Sequence, residues 1–488
     1  MRMSVPFNNS YVQLPERFFS RQLPAPVENP TLIRINHGLA ELLGIDEAWL
    51  SSDEGINTLA GNFVPDGADP IATVYAGHQF GNWNPQLGDG RAILLGEIIG
   101  TDGERYDLQL KGAGQTPYSR MGDGRAPLGP VIREYIVSEA MAALGVPTSR
   151  ALAAVTTGET VYRDEALPGA VLARVAKSHI RIGTVQFFAA SKDAEAISLL
   201  VDHVLERHYP SAVGSDNPAL ALLDQVMKAQ AHLVASWQMI GFIHGVMNTD
   251  NVLLSGETID YGPCAFMDTY RPDMVYSSID QGNRYAYKNQ PGIAHWNLAC
   301  LAQALVPVLA DDEEAAIEIA KEALDRFPAY FLEENRAGLN RKLGLCTNKE
   351  EDEVLARDFL SLLEQEQLDF TLSFRRLSEL AGDEPAASVK SLAGFPSSFD
   401  DWFNQWRARC DLEDFPDRQS SMMATNPALI PRNHLIEFAI REATAGDFSL
   451  FNQLVDHLKN PYDLTDVDLR FAKKPKPEEV VRQTFCGT

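Results

Sequence analysis

Apolar and polar positions change rhythm along the chain. Up to about residue 190 the apolar positions come in short runs broken by turn residues; beyond it they recur mainly at helical spacing. Runs at 71–75 and 92–99 flank the loop Gly88-Asp89-Gly90-Arg91, and Gly100-Thr101-Asp102-Gly103 carries the Asp-Gly signal of a hairpin turn. The strand after it alternates Tyr106, Leu108 and Leu110 with Asp107, Gln109 and Lys111, so Lys111 is predicted opposite the apolar face at the strand's end. Pro130 can open a helix over 131–144 that stops before Gly145 and Pro147 and carries Glu134 and Glu139. Strands are expected at 151–156, 160–163 and 170–175. Helices are expected at 193–208, 218–240, 294–309, 313–324 and 350–364, with one short hairpin at 251–260 among them.

No repeat of solenoid period is present. The predicted architecture is α+β and two-lobed, β-rich and then helical. An extension over 1–70 precedes a first lobe at 71–165, a second at 166–310, and a helical extension with a tail at 311–488.

Composition narrows the function classes. Lys and Arg number 42 against 67 Asp and Glu, a net charge of −25 that repels nucleic acid and anionic membranes. The basic stretch at 473–477 adjoins Glu478 and Glu479 and reads as a solvated linker. Five cysteines (264, 300, 346, 410 and 486), with no Cys-x-x-Cys, suggest a reducing compartment rather than a disulfide scaffold or zinc site. Residues 1–13 carry Asn8, Asn9 and Ser10 where a secretion signal needs an apolar core, and no apolar stretch reaching about 18 residues is evident, which points to the cytoplasm.

The chemistry concentrates around residue 250. His244 and Asn251 have the spacing of the protein-kinase catalytic loop, His-Arg-Asp-x-x-x-x-Asn, and Asp260-Tyr261-Gly262 stands where Asp-Phe-Gly would follow. An Asn carbonyl and an Asp carboxylate are hard oxygen ligands suited to Mg²⁺. Upstream, Gly88 and Gly90 would let backbone approach phosphates, and Lys111 is followed 23 residues later by Glu134 on the next helix, the kinase arrangement for gripping a polyphosphate. Val246 occupies the position of the kinase base and cannot take a proton, whereas the neighbouring Asp250 can. His244 is read as structural. Arg174 and Arg181 offer planar donors that match phosphate oxygens. No Walker A, His-Glu-x-x-His or Gly-x-Ser-x-Gly sequence occurs, and Pro117 spoils a dinucleotide fingerprint at 112–117.

The strings Tyr75-Ala76-Gly77-His78-Gln79-Phe80-Gly81, Leu87-Gly88-Asp89-Gly90-Arg91-Ala92, Leu110-Lys111-Gly112, His244 to Asn251 and Asp260-Tyr261-Gly262-Pro263 resemble the selenoprotein O family of kinase-fold protein adenylyltransferases. The resemblance implies a nucleotide bound in reverse relative to a kinase, with AMP, or UMP from UTP, passed to Ser, Thr or Tyr hydroxyls of protein substrates and pyrophosphate released. It implies that Gly88, Gly90 and Arg91 contact the nucleotide and that Lys111, Asp123 and Gly124 hold the polyphosphate. Arg174 and Arg181 would clamp its buried end, Asp250 would accept the proton, and Asn251 and Asp260 would bind Mg²⁺ or Mn²⁺, Asp260 also touching nucleotide. Members of the family that are redox-controlled pair a C-terminal cysteine with one after the metal aspartate; here Cys486 is present but Tyr276 stands at the partner position, with Cys264 as a substitute. From the residues alone, a phosphotransferase using Asp250 as base and a nucleotide-gated pseudokinase module remain open.

Overall fold

The computed structural model of the chain describes residues 5–382, 394–465 and 467–485. Its strands are β1 (Phe19–Arg21), β2 (Thr31–Ile35), β3 (Ile71–Thr73), β4 (Gly77–Gln79), β5 (Asn82–Asn84), β6 (Ala92–Ile99), β7 (Arg105–Lys111), β8 (Ala126–Pro127), β9 (Arg150–Tyr162), β10 (Ala166–Ala176), β11 (Phe242–Ile243) and β12 (Ala265–Phe266). The first helices are α1 (His37–Leu42), α2 (Glu47–Leu50), α3 (Asp53–Ala60), α4 (Leu128–Ala143), α5 (Ile182–Ala190), α6 (Ala194–His208), α7 (Pro218–Met239) and α8 (Gln290–Leu309). The chain continues through α9 (Glu313–Leu324), α10 (Phe327–Lys342), α11 (Glu351–Gln365), α12 (Phe370–Leu380), α13 (Asp400–Cys410), α14 (Arg418–Thr425), α15 (Asn433–Thr444) and α16 (Ser449–Leu458).

The main sheet runs β1-β3-β6-β7-β10-β9-β2, all antiparallel, with β8 against β10. Its central hairpin pairs Ala92 with Lys111 and Ile99 with Arg105. Gly103, at φ 86°, closes the turn by donating its amide to Gly100 O at 3.0 Å. The first 70 residues supply both outer strands, β1 and β2, and helices α1–α3. Leu39, Leu43, Leu50 and Leu59 from that segment share a core with Leu108 and Leu110 of β7. On the other face of β7, Asp107, Gln109 and Lys111 point toward the rest of the protein, and the first two are fully buried. Helix α4 contacts β9 and β10, its Ile132, Ile136 and Ala140 joining the larger core. It begins two residues ahead of Pro130, which is tolerated because amides of the first turn have no helical partner anyway.

The helical lobe follows. Helix α7 starts on Asn217, whose side chain accepts from the Leu220 amide at 3.1 Å, with Pro218 in the first turn; Asp312 caps α9 on Ala315 in the same way at 2.9 Å. The short pair β11–β12 brackets a loop that carries residues 244–264 to the interface with the sheet. A β-rich lobe with α4 on one face and α1 to α3 on the other, joined to a helical lobe whose catalytic-type loop faces the sheet, is a kinase-like α+β arrangement.

Four expectations are corrected. The runs at 151–156 and 160–163 form one strand, β9, with Gly158 at φ 74° within it and a register shift against β10 nearby. The segment 251–260 is not a hairpin: Leu253 bridges to Arg181 and Thr258 to Thr148, so its extended residues pair with distant segments rather than with each other. Helices α5, α10 and α12 to α16 form where no individual helix is predicted; in α12, Arg376 and Glu379 are buried as an ion pair. Finally, Tyr287–Leu309 is long and apolar enough to cross a membrane, but about half of it is buried, and α8 packs on α5, α7 and α9.

Candidate active site

A cavity of about 540 Å³ lies between the lobes, and all twelve residues singled out in the sequence line it: Gly88, Gly90, Arg91, Lys111, Asp123, Gly124, Glu134, Arg174, Arg181, Asp250, Asn251 and Asp260. That volume suits a nucleotide-sized ligand. Seven of its lining residues are Arg or Lys and five are Asp or Glu, a local cationic excess in a chain of net charge −25.

At the centre, Lys111 Nζ donates to Glu134 Oε2 at 2.6 Å and to Asp260 Oδ1 at 2.8 Å. Arg174 Nη1 reaches the same two acids at 3.2 and 2.7 Å, while its Nε and Nη2 donate to Gln109 Oε1 at 3.2 and 2.6 Å. Burial alone would raise the Asp260 pKa, but Lys111, Arg174 and Arg181 hold it well below the usual carboxylate range. Asp260 also sits at φ 61°, a left-handed conformation that costs a non-glycine residue energy and is retained at functional sites. Arg181 lies 4.3 Å over the Tyr75 ring, donates to the Asp250 carbonyl at 3.0 Å, and keeps a buried Nε with no partner.

Asp250 differs from its neighbours. It is buried, accepts a hydrogen bond on Oδ2 from Gln79 Nε2 at 3.2 Å, and leaves Oδ1 with no partner. Burial pushes its carboxyl up to about 6, opposed by Gln79 and Arg181. Asn251 anchors its amide by donating Nδ2 to Val246 O at 3.0 Å, which leaves its carbonyl oxygen as a ligand. That oxygen and the Asp260 carboxylate are hard oxygen donors of the kind Mg²⁺ takes, an ion that uses few protein ligands and completes its shell with phosphate and water. Among the described residues no group of three or more His, Cys, Asp or Glu is arranged to hold a metal.

The glycines have reasons of their own. A Cβ on Gly88 (φ 85°) would strike the Tyr118 ring, and one on Gly124 (φ 68°) the Gly114 backbone, so both permit close packing of the two loops that roof the cavity. The Asp123 carboxylate is bound by Arg163 Nη1 and Nη2 at 2.8 and 3.0 Å, and both residues line the cavity. His244 is structural, its Nε2–H donating to Ile259 O at 2.9 Å. Tyr75, Gln79, Gln109 and Arg163 were not assigned roles from sequence; each acts on a partner at least 40 residues away, a relation that local spacing does not carry. Near the chain end the Thr484 amide donates to Tyr276 O at 2.7 Å. Cys486 lies outside the described residues.

Against known families, residues 1–459 match the model described as Protein adenylyltransferase SelO. The chain belongs to the SelO family. Curated SelO-family relatives include proteins named Protein nucleotidyltransferase YdiU from Rhodopseudomonas palustris (strain BisB5), 57% identical, and Bradyrhizobium sp. (strain ORS 278), 55% identical, each alignment covering 100% of both chains. Among solved structures, ROP2 from Toxoplasma gondii, described as a virulence factor with a protein-kinase fold and no enzymatic activity, aligns at 12% identity with a TM-score of 0.24. The alignment covers 77% of this SelO-family chain and 95% of that one, a likeness too slight to bear on the site.

Proposed function

We propose that the chain is a protein nucleotidyltransferase that moves AMP, with UMP as the alternative, from a nucleoside triphosphate to Ser, Thr or Tyr hydroxyls of protein substrates, with release of pyrophosphate. The observation that carries the reading is Asp250: a carboxylate held by Gln79 that lines the cavity beside the cationic cluster, in a loop where Val246 replaces the usual kinase base. The names of the full-length relatives support the same reaction class.

In this reading Lys111 and Arg181 attract the β- and γ-phosphates, and Glu134 and Gln109 keep Lys111 and Arg174 oriented. The acceptor hydroxyl gives its proton to Asp250 as its oxygen bonds to the α-phosphorus; the α–β bridging bond breaks and pyrophosphate leaves with the electron pair. Asn251 and Asp260 would hold Mg²⁺, with Mn²⁺ as a substitute, and the ion would supply neutralisation of phosphate charge. Fixed positive groups beside the leaving phosphates lower the barrier because they need no reorientation during reaction.

Parallel incubations with ATP labelled at the α or the γ position test this. Label from the α position on protein, with pyrophosphate released, is the expected result; protein label from the γ position alone would make the chain a phosphotransferase, and no label on any protein, itself included, would favour a binding module.

A further inference from the structure

The hairpin β4–β5 sits on the catalytic loop, and its contacts extend past simple packing. Gly77 pairs with Asn84, His78 with Trp83 and Gln79 with Asn82, and the turn Phe80-Gly81 has φ 52° and 82° at successive residues, the left-handed pair that a two-residue hairpin requires. Three consecutive hairpin residues then bind three consecutive loop residues. The His78 amide donates to Thr249 Oγ1 at 2.7 Å, Gln79 Nε2 to Asp250 Oδ2 at 3.2 Å, and the Phe80 amide to Asn248 Oδ1 at 2.9 Å. Tyr285 OH adds a second bond to Asn248 Oδ1 at 2.7 Å. Gly77 lies so close that a Cβ there would come within 2.7 Å of Asp250 Oδ1.

We infer that Gln79 is the positioning residue for Asp250, holding the carboxylate through Oδ2, with Oδ1 buried against Gly77, in the orientation from which it takes the acceptor proton. The inference rests on the reading of Asp250 as proton acceptor. A carboxylate can pivot about its last bond, and Gln79 is the side chain that restrains Asp250 against that rotation; Arg181 restrains only the main-chain carbonyl of the same residue. A neutral amide suits the task, because it orients the carboxylate without placing a full positive charge on a group that must take up a proton. The side chain reaches Asp250 from a strand 171 residues earlier, and its placement depends on the His78 and Phe80 amides that dock the hairpin. Gln79 thereby acts through Asp250 and needs no contact with nucleotide.

The test compares wild type, Gln79→Met and Gln79→Asn in α-label transfer at saturating acceptor, with kcat, nucleotide KM and melting temperature measured for each. Met keeps the length and removes the donor; Asn keeps the donor but is one methylene too short. Both are expected to lower kcat by ~10- to 100-fold, in line with the cost of misplacing a reacting group, with nucleotide KM within about twofold of wild type and melting temperature unchanged. Unchanged kcat, a raised KM with normal kcat, or kcat falling only together with melting temperature would overturn the inference. Wild type separates the two layers: if it transfers no α label, the parent reading fails and the inference with it, whereas normal transfer by wild type and both variants removes only the role of Gln79.

Discussion

One face of β7 meets two buried charge clusters that look alike and do different things. At one end Asp107 receives Arg207 Nη2 at 2.5 Å and the His179 amide and Nδ1 at 2.8 and 2.9 Å. At the other, Lys111 joins Glu134, Arg174 and Asp260. Burial opposes ionisation of both Asp107 and Asp260, and in both the neighbouring cations win and hold the acid below its ordinary range. The Asp107 side chain is 4% exposed and absent from the cavity wall; that of Asp260 is 23% exposed and faces the cavity with a strained backbone. Perturbed acidity therefore does not separate the two. What separates them is an opening: both ends keep unmatched buried atoms, His179 Nε2 at one and Asp250 Oδ1 and Arg181 Nε at the other, but only the Asp260 end borders the cavity.

Substitutions can break that contrast. The largest effect is expected from Asp260→Asn, which removes a charge from the open cluster: nucleotide transfer should fall by at least ~10²- to 10³-fold, the scale of losing a fixed electrostatic group at a reacting centre, with the circular dichroism spectrum retained. Asp107→Asn makes the opposite trade. It removes one of the two acids that hold Arg207 and leaves Glu97 Oε2 at 3.1 Å, so denaturant titration should show a loss of about 2 kcal/mol, while kcat per folded molecule stays within about twofold of wild type.

Smaller effects concern acids that are buried against their charge. Asp250→Asn, whatever it costs transfer, should stabilise the nucleotide-free protein at pH 7 by about 1 kcal/mol, the increment typical of relieving a strained functional group. Glu257, beside the closed cluster, is pushed up to about 7 by burial, against the pull of Ser255 and Lys177. Because the folded state holds this proton more tightly than the unfolded chain, with its ordinary value of 4.5, the contribution of Glu257 to stability falls as pH rises from about 4.5 through 7 and is flat above. Denaturation midpoints at pH 5 and pH 8 should show Glu257→Gln gaining on wild type at the higher pH, with transfer unaltered; a constant gap would mean that Glu257 does not titrate in that window.

The two ends of β7 were not equally legible. Alternation placed Lys111 at the end of a strand, and motif spacing tied it to Glu134, Asn251 and Asp260, since kinase-type chemistry needs those residue types in that order. The same alternation marks Asp107 and Gln109 as solvent-facing, and both are buried because Arg207 and Arg174 cover them from elements 100 and 65 residues away. Helix α9 was readable to its ends from an Asp cap and an apolar stripe. Helix α12 is absent from the predicted elements although its apolar residues recur at helical spacing; what the sequence does not show is that Arg375, Arg376 and Glu379 are buried on it. The supposed hairpin at 251–260 failed for a related reason: extended residues announce themselves locally, but their partners at Arg181 and Thr148 do not.

The central claim is that Asp250 faces the phosphate that is transferred, and that this phosphate is the α. A crystal structure with Mg²⁺ and a non-hydrolysable ATP analogue tests it directly. The expected result is the α-phosphorus next to the Asp250 carboxylate, with the β- and γ-phosphates running toward Lys111 and Arg181; a γ-phosphate beside Asp250, with the α-phosphate deeper among the cations, would contradict it.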